Sequence, residues 1–359
     1  MTWHENHRLY RRGSAGHITP NIALMNKLRQ LGWEIHYIGT ATGIEKDMIE
    51  REGVPFYPIS SGKLRRYFDL KNFKDPFRVL KGVYESYRLL RRLKPAIVFS
   101  KGGFVSVPVV LGSRMNKIPV IIHESDMTPG LANRISIPFA TKVCVTFPES
   151  MQHVRNQKAI LTGLPIREEM LNGQASKGYQ YCNFHSRKPV ILVMGGSLGS
   201  QVINRAVRDH LDRLLVQFQI VHICGKGNVS QDLAGRRGYK QFEYISDELP
   251  DVMAMADLVI SRAGATSIYE FLFLKKPMLL IPLSLQASRG DQILNAISFQ
   301  KAGYADVLPE EELSSESLVE RVEALYAKRE AYREAMSSRN ETNAVETIVK
   351  LIETYSETS

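Results

Sequence analysis

Apolar segments of strand length alternate with helical segments through most of this 359-residue chain. This alternation is typical of parallel sheets whose strands are joined by crossover helices. The segments predicted as strands are 34–38, 96–99, 119–123, 142–147, 190–194, 219–223, 258–261 and 278–281. Several end directly in Gly, Ser or His, at the edge where open α/β sheets bind ligands. The chain is therefore predicted to be an α/β protein with its functional groups at the carboxyl ends of its strands.

The length of the chain exceeds what one hydrophobic core usually holds and predicts two domains. A boundary is expected at residues 161–165, where the charge balance changes and a new α/β series begins. We predict one domain over residues 1–163 and a second over 164–339. An amphipathic helix at about 340–356 is expected to pack back on the first domain.

Positive charge is concentrated in the first part of the chain. Residues 1–160 carry 25 Lys and Arg against 12 Asp and Glu, whereas residues 161–359 carry 22 against 25. Within residues 63–92, ten basic residues are interleaved with aromatic and leucine side chains. This pattern favours a polyanionic partner, either nucleic acid or an anionic membrane surface. No apolar stretch reaches the roughly 20 residues that span a bilayer, and Cys144, Cys182 and Cys224 lack metal-ligand spacing.

The clearest motif lies at residues 261–270, with a second part at residues 290–292. An apolar strand ends in a turn containing Gly264, and a helix then begins on small residues that include Ala265 and Thr266. A helix N-terminus suits a diphosphate, because its backbone N–H groups and dipole favour negative charge. The carboxylate of Glu270 suits ribose hydroxyls, and Gln292 suits sugar hydroxyls. Taken singly these are ordinary helix residues, but together and in this order they favour a nucleotide-sugar site.

Three glycine loops add to this motif, at residues 13–17, 102–106 and 195–199. Each allows backbone amides to approach a phosphate closely, although one such loop alone is weak support. With Arg262 before Gly264, the three loops favour phosphate recognition. None is followed by the complete dinucleotide pattern with its acidic residue, which argues against an NAD-dependent enzyme.

These residues together resemble the MurG family of bacterial N-acetylglucosaminyltransferases, from Gly13 nearly to the end of the chain. The residues that carry the resemblance are Gly16, His17, Gly102, Gly103, Phe104, Val105, His123, Glu124, Pro129, Gly130, Leu131, Ala132, Asn133, Pro165, Ile166, Arg167, Gly195, Gly196, Ser197, Ile245, Arg262, Ala263, Gly264, Glu270 and Gln292. The resemblance implies the GT-B fold, with two Rossmann-like parallel-sheet domains facing a cleft. The N-terminal domain would bind acceptor and membrane, and the C-terminal domain would bind UDP-GlcNAc.

The family resemblance also implies roles for individual residues. The implied UDP-GlcNAc ligands are Arg167, Ser197, Ile245, Ala265, Thr266, Glu270 and Gln292. Among them, Ile245 would line the uracil, Glu270 would bind ribose and Arg167 would neutralise the departing UDP. His17 is the candidate general base, because imidazole titrates near neutral pH. Gly13, Gly16, Gly102 and Gly103 would form the loops for the acceptor and its diphosphate.

The implied reaction is an inverting transfer of GlcNAc to the MurNAc 4-hydroxyl of undecaprenyl-diphospho-MurNAc-pentapeptide. It converts lipid I to lipid II in peptidoglycan synthesis, and so serves cell shape and division. Neither a cofactor nor a metal is required, and no nucleic acid partner is expected. A lipid-linked acceptor favours an anionic membrane as the partner of the basic stretch. The expected location is therefore peripheral, on the cytoplasmic side of a bacterial cell membrane.

The chain departs from the family before Gly13. Residues 1–12 are too polar for the strand that opens the family pattern, and one glycine stands where three are expected. Reading the back-translated segment one base later restores both strand and loop, which leads to the hypothesis of a frameshift. Because of this departure, a non-catalytic paralogue stays open beside the transferase. A GT-B transferase acting on a different lipid and a UDP-sugar epimerase also stay open.

Overall fold

The computed structural model of the chain describes residues 18–41, 44–62, 75–155, 157–196, 198–338 and 344–357. The helices are α1 (Thr19–Gln30), α2 (Ile44–Arg51), α3 (Asp75–Leu93), α4 (Ser106–Met115), α5 (Leu131–Ser136), α6 (Glu168–Leu171), α7 (Ala175–Cys182), α8 (Gln201–Asp209), α9 (Leu211–Gln217), α10 (Leu249–Met255), α11 (Ala265–Phe273), α12 (Asp291–Lys301), α13 (Ser315–Ala327), α14 (Arg329–Ser337) and α15 (Ala344–Ser356). The strands are β1 (Tyr37–Gly39), β2 (Phe56–Pro58), β3 (Val98–Ser100), β4 (Val120–Glu124), β5 (Lys142–Val145), β6 (Ala159–Leu161), β7 (Val190–Met194), β8 (Gln219–Ile223), β9 (Tyr239–Phe242), β10 (Leu258–Ser261), β11 (Met278–Leu280) and β12 (Ala305–Val307).

These elements form two compact units. The first unit spans Met1–Pro165 together with Thr342–Ser359, and the second spans Ile166–Glu341. Among the helices of the described residues, none is both long and apolar enough to cross a bilayer.

The first unit is built in layers around a parallel sheet. Its described strands pair in the order β3-β4-β5-β6, and β1 and β2 form a separate parallel pair. Ile121 of β4 faces α1 and α15, whose apolar residues share one buried cluster with it. The next residue, Ile122, faces the opposite way and packs in a cluster with Val110 of α4. This alternation follows from the two-residue period of a strand, and it covers both faces of the sheet.

Helices α3 and α4 approach each other closely because small residues lie at their contact. A Cβ added at Gly112 of α4 would lie 2.9 Å from the Cβ of Ser86 and from the backbone nitrogen of Tyr87. One at Gly82 of α3 would lie 2.1 Å from the carbonyl oxygen of Ser60. The face of α3 that carries Gly82, Ser86 and Leu90 is therefore buried, and the opposite face is exposed.

The second unit contains one parallel sheet with its described strands in the order β12-β11-β10-β7-β8-β9. The chain builds outward from β7 through β8 and β9, and then places β10 on the other side of β7. This reversal makes the carboxyl ends of β7 and β10 a topological switch point, where α/β proteins bind ligands. Met194 and Ser261, the last residues of these two strands, are direct partners in the ladder.

The segments predicted as strands all contribute to the parallel sheets, although the first is displaced toward Gly39. Four strands were not predicted, namely β2, β6, β9 and β12. Each has only three or four residues and includes polar or exposed positions. Their apolar patterns are too short to stand out, and pairing with neighbouring strands defines them instead.

Candidate active site

Two glycine-containing loops, which follow β7 and β8, cross at the carboxyl edge of the second unit's sheet. Gly199, in the loop after β7, has a φ of +75°, and Gly225, in the loop after β8, has a φ of +86°. A Cβ on Gly199 would lie 1.9 Å from the carbonyl oxygen of Cys224, and one on Gly225 would lie 2.3 Å from that of Leu198. Neither position tolerates a side chain, so glycine allows the two backbones to cross.

Helix α11 begins beside this crossing. Gly264 precedes it with extended backbone angles and has no side chain to cap it. Ala265, the first helical residue, is buried, and Thr266 is partly buried. The positive end of the helix dipole therefore lies at the carboxyl edge of the sheet, which suits a phosphate group.

Glu270 lies deeper in α11 and is 5% exposed. Its Oε1 is 3.6 Å from Nη2 of Arg167, which precedes the short helix α6. Burial raises the pKa of Glu270, although the Arg167 cation opposes that rise. Nη2 of Arg167 also lies 3.3 Å from the sulfur of Met170, and within the described ranges its buried Nε has no hydrogen-bond partner. The pair thus brings a partly unsatisfied guanidinium from the start of the second unit's chain to a buried carboxylate of α11.

The side chain of Arg262, which belongs to the motif predicted to recognise phosphate, contacts several groups within the protein. Its guanidinium donates to the hydroxyl of Ser200 at 2.8 Å and to the carbonyl oxygens of Ile281 and Pro282 at 3.1 and 3.2 Å. It also pairs with Glu310. The side chain is buried and links the loops after β7, β10 and β11, so its donors stabilise the switch point from within.

Gln292 and Ile245 lie on two other elements of the same unit. Gln292 is the second residue of α12, and its Oε1 accepts a hydrogen bond of 3.1 Å from the backbone N–H of Leu283. This bond fixes the amide and leaves its NH₂ group as a donor. Ile245 follows β9 and is 2% exposed.

At the carboxyl edge of the first unit's sheet, Glu124 is buried among donors. Its carboxylate accepts hydrogen bonds from the backbone N–H groups of Asp126 and Gly130 at 3.0 and 3.1 Å, and from Nδ2 of Asn133 at 2.8 Å. Burial nevertheless raises the pKa of Glu124. Gly102 lies against Asn133, where an added Cβ would be 2.9 Å from Oδ1 of that side chain.

The glycine loop after β3 has unusual backbone geometry. Gly102 and Gly103 have φ values of +90° and +87°. A Cβ on Gly103 would meet no atom within 4 Å. The loop therefore presents its backbone to open space, as a site for close ligand approach requires.

Lys101 is a residue of this edge that sequence reasoning did not select. Its Nζ lies 3.1 Å from Nδ1 of His123 and donates to the hydroxyl of Ser125 at 2.5 Å. Burial lowers the pKa of Lys101 to about 7, against the attraction of Glu124 and Asp126. The available signal was its position, directly after an apolar strand and directly before two glycines.

Some of the predicted positions lie outside the described residues. They are Gly13, Gly16, His17, Ser197 and most of the basic stretch before α3, at residues 63–74. Their roles remain predictions from the sequence. Within the part of the chain that is described, no three His, Cys, Asp or Glu side chains converge as metal ligands, and the three cysteines are buried and unpaired.

Comparison with known proteins places this geometry in a family. The glycosyltransferase family 28 N-terminal domain matches residues 9–145, and the C-terminal domain of the same family matches residues 190–352. A UDP-N-acetylglucosamine--N-acetylmuramyl-(pentapeptide) pyrophosphoryl-undecaprenol N-acetylglucosamine transferase of Clostridium botulinum (strain Loch Maree / Type A3) is 58% identical over 96% of this chain and 97% of its own length. The chain belongs to the MurG family of glycosyltransferases.

Two further relatives agree with this placement. A protein of the same name from Geobacillus thermodenitrificans (strain NG80-2) is 58% identical, over 95% of this chain and 96% of its own. The crystal structure of Acinetobacter baumannii MurG matches with a TM-score of 0.75 and 25% identity, and covers 94% of this chain and 96% of that one. The prediction of a MurG-type GT-B protein with two parallel-sheet α/β domains is therefore confirmed.

In this MurG-family chain, the structure brings some of the predicted donor residues together. Arg167 and Glu270 are in contact, and Ala265 and Thr266 lie on the same helix as Glu270. Ile245 and Gln292 belong to the same unit but to separate elements. Gly102 and Gly103 lie in the first unit. The donor and acceptor positions that the sequence predicted are thus distributed between the two units.

Proposed function

We propose that the chain transfers GlcNAc from UDP-GlcNAc to the MurNAc 4-hydroxyl of undecaprenyl-diphospho-MurNAc-pentapeptide, converting lipid I to lipid II in peptidoglycan synthesis. The relatives reported above carry this activity in their names. The observation that carries the proposal for this chain is the pair of Arg167 with the buried Glu270 of α11, the helix that begins at Ala265. A carboxylate, a guanidinium and a helix N-terminus together match the ribose and diphosphate of a nucleotide sugar.

Each of these groups would bind the part of UDP-GlcNAc that suits its charge. The Glu270 carboxylate accepts hydrogen bonds from the ribose hydroxyls, and the start of α11 at Ala265 and Thr266 receives the diphosphate. Because Nε of Arg167 has no partner among the described residues, its guanidinium has donor capacity left for an anion. We assign it to the leaving UDP, whose negative charge grows as the glycosidic bond breaks. The NH₂ group of Gln292 donates to a GlcNAc hydroxyl, Ile245 lines the uracil, and Ser197 contributes to the diphosphate site.

The reaction is a single displacement with inversion at the anomeric carbon. The oxygen of the MurNAc 4-hydroxyl forms a bond to C1 of GlcNAc while the bond from C1 to the diphosphate oxygen breaks. The hydroxyl proton passes to the general base, for which His17 is the candidate, and UDP leaves with the electron pair of the broken bond. Gly13, Gly16, Gly102 and Gly103 would hold the acceptor and its diphosphate.

The test of this function is release of UDP from UDP-GlcNAc with and without a short-chain lipid I analogue. The proposed activity requires release that depends on the acceptor, with a disaccharide product. Acceptor-independent turnover of the donor would instead identify an epimerase. Donor binding without turnover would identify a non-catalytic paralogue, and transfer to diacylglycerol instead of the analogue would identify another lipid transferase.

Replacing His17 with Ala tests the general base. We expect kcat to fall by roughly 100-fold or more, the usual size of a general-base contribution, while the Kd for UDP stays unchanged. Steady-state kinetics and calorimetry measure the two quantities. His153→Ala, in the same unit, is the control and should keep wild-type kcat. An unchanged kcat for the His17 variant would remove this residue from the base role.

Our proposal includes peripheral binding to the cytoplasmic side of the membrane, and the exposed face of α3 supports the contact with a membrane surface. Phe77, Leu80 and Tyr84 are 74%, 66% and 60% exposed and lie within two turns of one helical face. Basic side chains flank them on the same face, namely Lys81, Arg88, Arg91 and Arg92, all exposed. Aromatic and leucine side chains enter the boundary of a bilayer, while cations contact anionic headgroups. We therefore assign this face, with the basic stretch that precedes it, to an anionic membrane surface rather than to nucleic acid.

The triple variant Phe77→Ser, Leu80→Ser, Tyr84→Ser tests the membrane face. We expect the partition coefficient onto vesicles of phosphatidylglycerol and phosphatidylcholine to fall roughly tenfold or more, since burying one such side chain is worth about 1.5–3 kcal/mol. Vesicle sedimentation measures it. Val216→Ser is a matched control, because Val216 is 77% exposed in the second unit. Unchanged binding by the triple variant, or an equal loss in the control, would contradict the assignment.

A further inference from the structure

Lys101 lies at the carboxyl edge of the first unit's sheet, between β3 and the loop of Gly102 and Gly103. Ser100 of β3 pairs with Ile122 of β4 in the ladder. Lys101 and Ser125 therefore both leave the sheet at the same edge, the one where α/β proteins place ligands.

The hydrogen bonds of His123 define what Lys101 donates. Nε2 of His123 lies 2.9 Å from the carbonyl oxygen of Gly163. A carbonyl only accepts, so Nε2 carries the ring proton. Burial and the neighbouring Lys101 cation lower the pKa of His123 well below its usual value. The ring is therefore neutral, Nδ1 carries a lone pair, and Lys101 donates to it.

The ammonium group of Lys101 retains donor capacity and charge. Of its three N–H donors, one serves Nδ1 of His123 and one serves the hydroxyl of Ser125. In the described ranges no carboxylate forms an ion pair with it, and the nearby Glu124 carboxylate already accepts from Asp126, Gly130 and Asn133. A partly buried cation without a directly paired carboxylate is expensive to hold in this position, and an apolar side chain of the same length would pack at lower cost. Such a group marks a site for an anion.

We propose that Lys101 is a binding residue for the acceptor, whose free N–H donates to a phosphate oxygen of the lipid-linked diphosphate held at Gly102 and Gly103. This assignment depends on the proposed function, because it takes the anion from the acceptor of that reaction. The open space beside Gly103 allows a phosphate to approach the loop closely. His123 and Ser125 then act as positioning residues that aim the ammonium group at this space.

Acceptor binding should consequently depend on pH. The titratable groups that face Lys101 are His123 and Glu124 of β4, Asp126 after β4, and Cys144 of β5. With a pKa of about 7, Lys101 of the free enzyme is charged below neutral pH and loses its proton as the pH rises. The value of kcat/KM for the acceptor should fall above about pH 7, by at most tenfold per pH unit. A bound diphosphate raises the pKa of Lys101, so binding above pH 7 takes up a proton.

The experiment compares the wild type with Lys101→Met and with the control Lys46→Met, which replaces a partly exposed lysine of the same unit. Transfer from UDP-GlcNAc to a short-chain lipid I analogue is followed from pH 6 to pH 9, and the Kd for UDP is measured by calorimetry. We expect Lys101→Met to lower kcat/KM for the acceptor by roughly 30-fold at pH 6.5, the size of a charge-assisted hydrogen bond. The fall of kcat/KM at alkaline pH should disappear, and the Kd for UDP should not change.

Stability separates this role from a purely structural one. Because the folded pKa of Lys101 lies below its unfolded value, the penalty for burying the charge is complete below about pH 7 and fades as the pH approaches about 10. Lys101→Met should therefore gain most stability relative to wild type at pH 6. A lysine that only braced the fold would show the reverse, with the variant less stable at every pH.

Three outcomes would overturn the assignment. The first is that the wild type transfers GlcNAc and the Lys101→Met variant has the same kcat/KM for the acceptor as the wild type. The second is a variant that is less stable than wild type at every pH. The third is a variant that loses binding to phosphatidylglycerol vesicles while keeping acceptor kinetics, which would make the anion a phospholipid headgroup. A wild type without transfer would instead contradict the proposed function.

Discussion

We expect the replacement of Glu270 with Gln to lower kcat/KM for UDP-GlcNAc by about 100-fold, because charge-assisted hydrogen bonds to ribose are worth about 1.5–3 kcal/mol each. The variant also loses the ion pair with Arg167, so the guanidinium is no longer held beside the nucleotide. We therefore expect kcat to fall as well as donor affinity. Steady-state kinetics and calorimetric titration with UDP measure the two effects.

The fold should survive this substitution. Burial raises the pKa of Glu270 above its unfolded value, so the folded state holds the proton more tightly than the unfolded state does. The folded protein therefore loses stability as the pH rises from the unfolded pKa of this carboxyl to its folded pKa. Glutamine removes this dependence, and the variant should be at least as stable as wild type near neutral pH. Glu323→Gln, an exposed helix carboxylate paired with Arg213 in the same unit, is the control and should keep donor affinity. Wild-type UDP affinity in the Glu270 variant would contradict the donor assignment.

Gly199→Ala should destabilise the second unit by roughly 3 kcal/mol or more, since a left-handed non-glycine residue costs about 1–2 kcal/mol and the crossing backbones must also separate. The added Cβ would lie 1.9 Å from the carbonyl oxygen of Cys224. Because Gly199 belongs to the loop that carries Ser197, the Kd for UDP should rise with the loss of stability. Urea unfolding followed by circular dichroism measures the change in free energy.

Gly227→Ala provides a control with nearly the same backbone angle. Gly227 has a φ of +73°, but an added Cβ would meet nothing within 4 Å. The control should lose only the dihedral contribution, about 1–2 kcal/mol. Equal destabilisation by the two variants would show that the close crossing contributes nothing.

The α/β class and the longer strands were predictable because their residues repeat a local pattern. Segment 190–194 is a continuous apolar run, segment 219–223 has three apolar residues out of five, and both match observed strands without displacement. The strand Tyr239–Phe242 could not be predicted in the same way. It has only four residues, of which Tyr239 alone is buried, and its pairing with β8 depends on parts of the chain that are distant in sequence.

The candidate site shows the same division between pattern and contact. Glu270 was predicted because a carboxylate follows a glycine turn and a helix start, which are local features. Arg262 belongs to the same motif, but its side chain turns inward to Ser200 and Glu310, and no local pattern specifies that direction. Lys101 was missed for a related reason. A lysine is ordinarily exposed, and only the pairing of β3 with β4 brings this one beside His123 and Ser125.

Helix α15 gives the first unit an unusual order of assembly. Its Ile348 and Ile352 complete the buried cluster of Leu24, Leu28 and Ile121, yet the ribosome synthesises them only after the entire second unit. During translation the early part of the chain must therefore wait, with an apolar surface exposed, until a much later segment arrives. Chaperones that bind nascent chains would bind this apolar surface, and a premature stop codon near residue 340 would leave it permanently exposed.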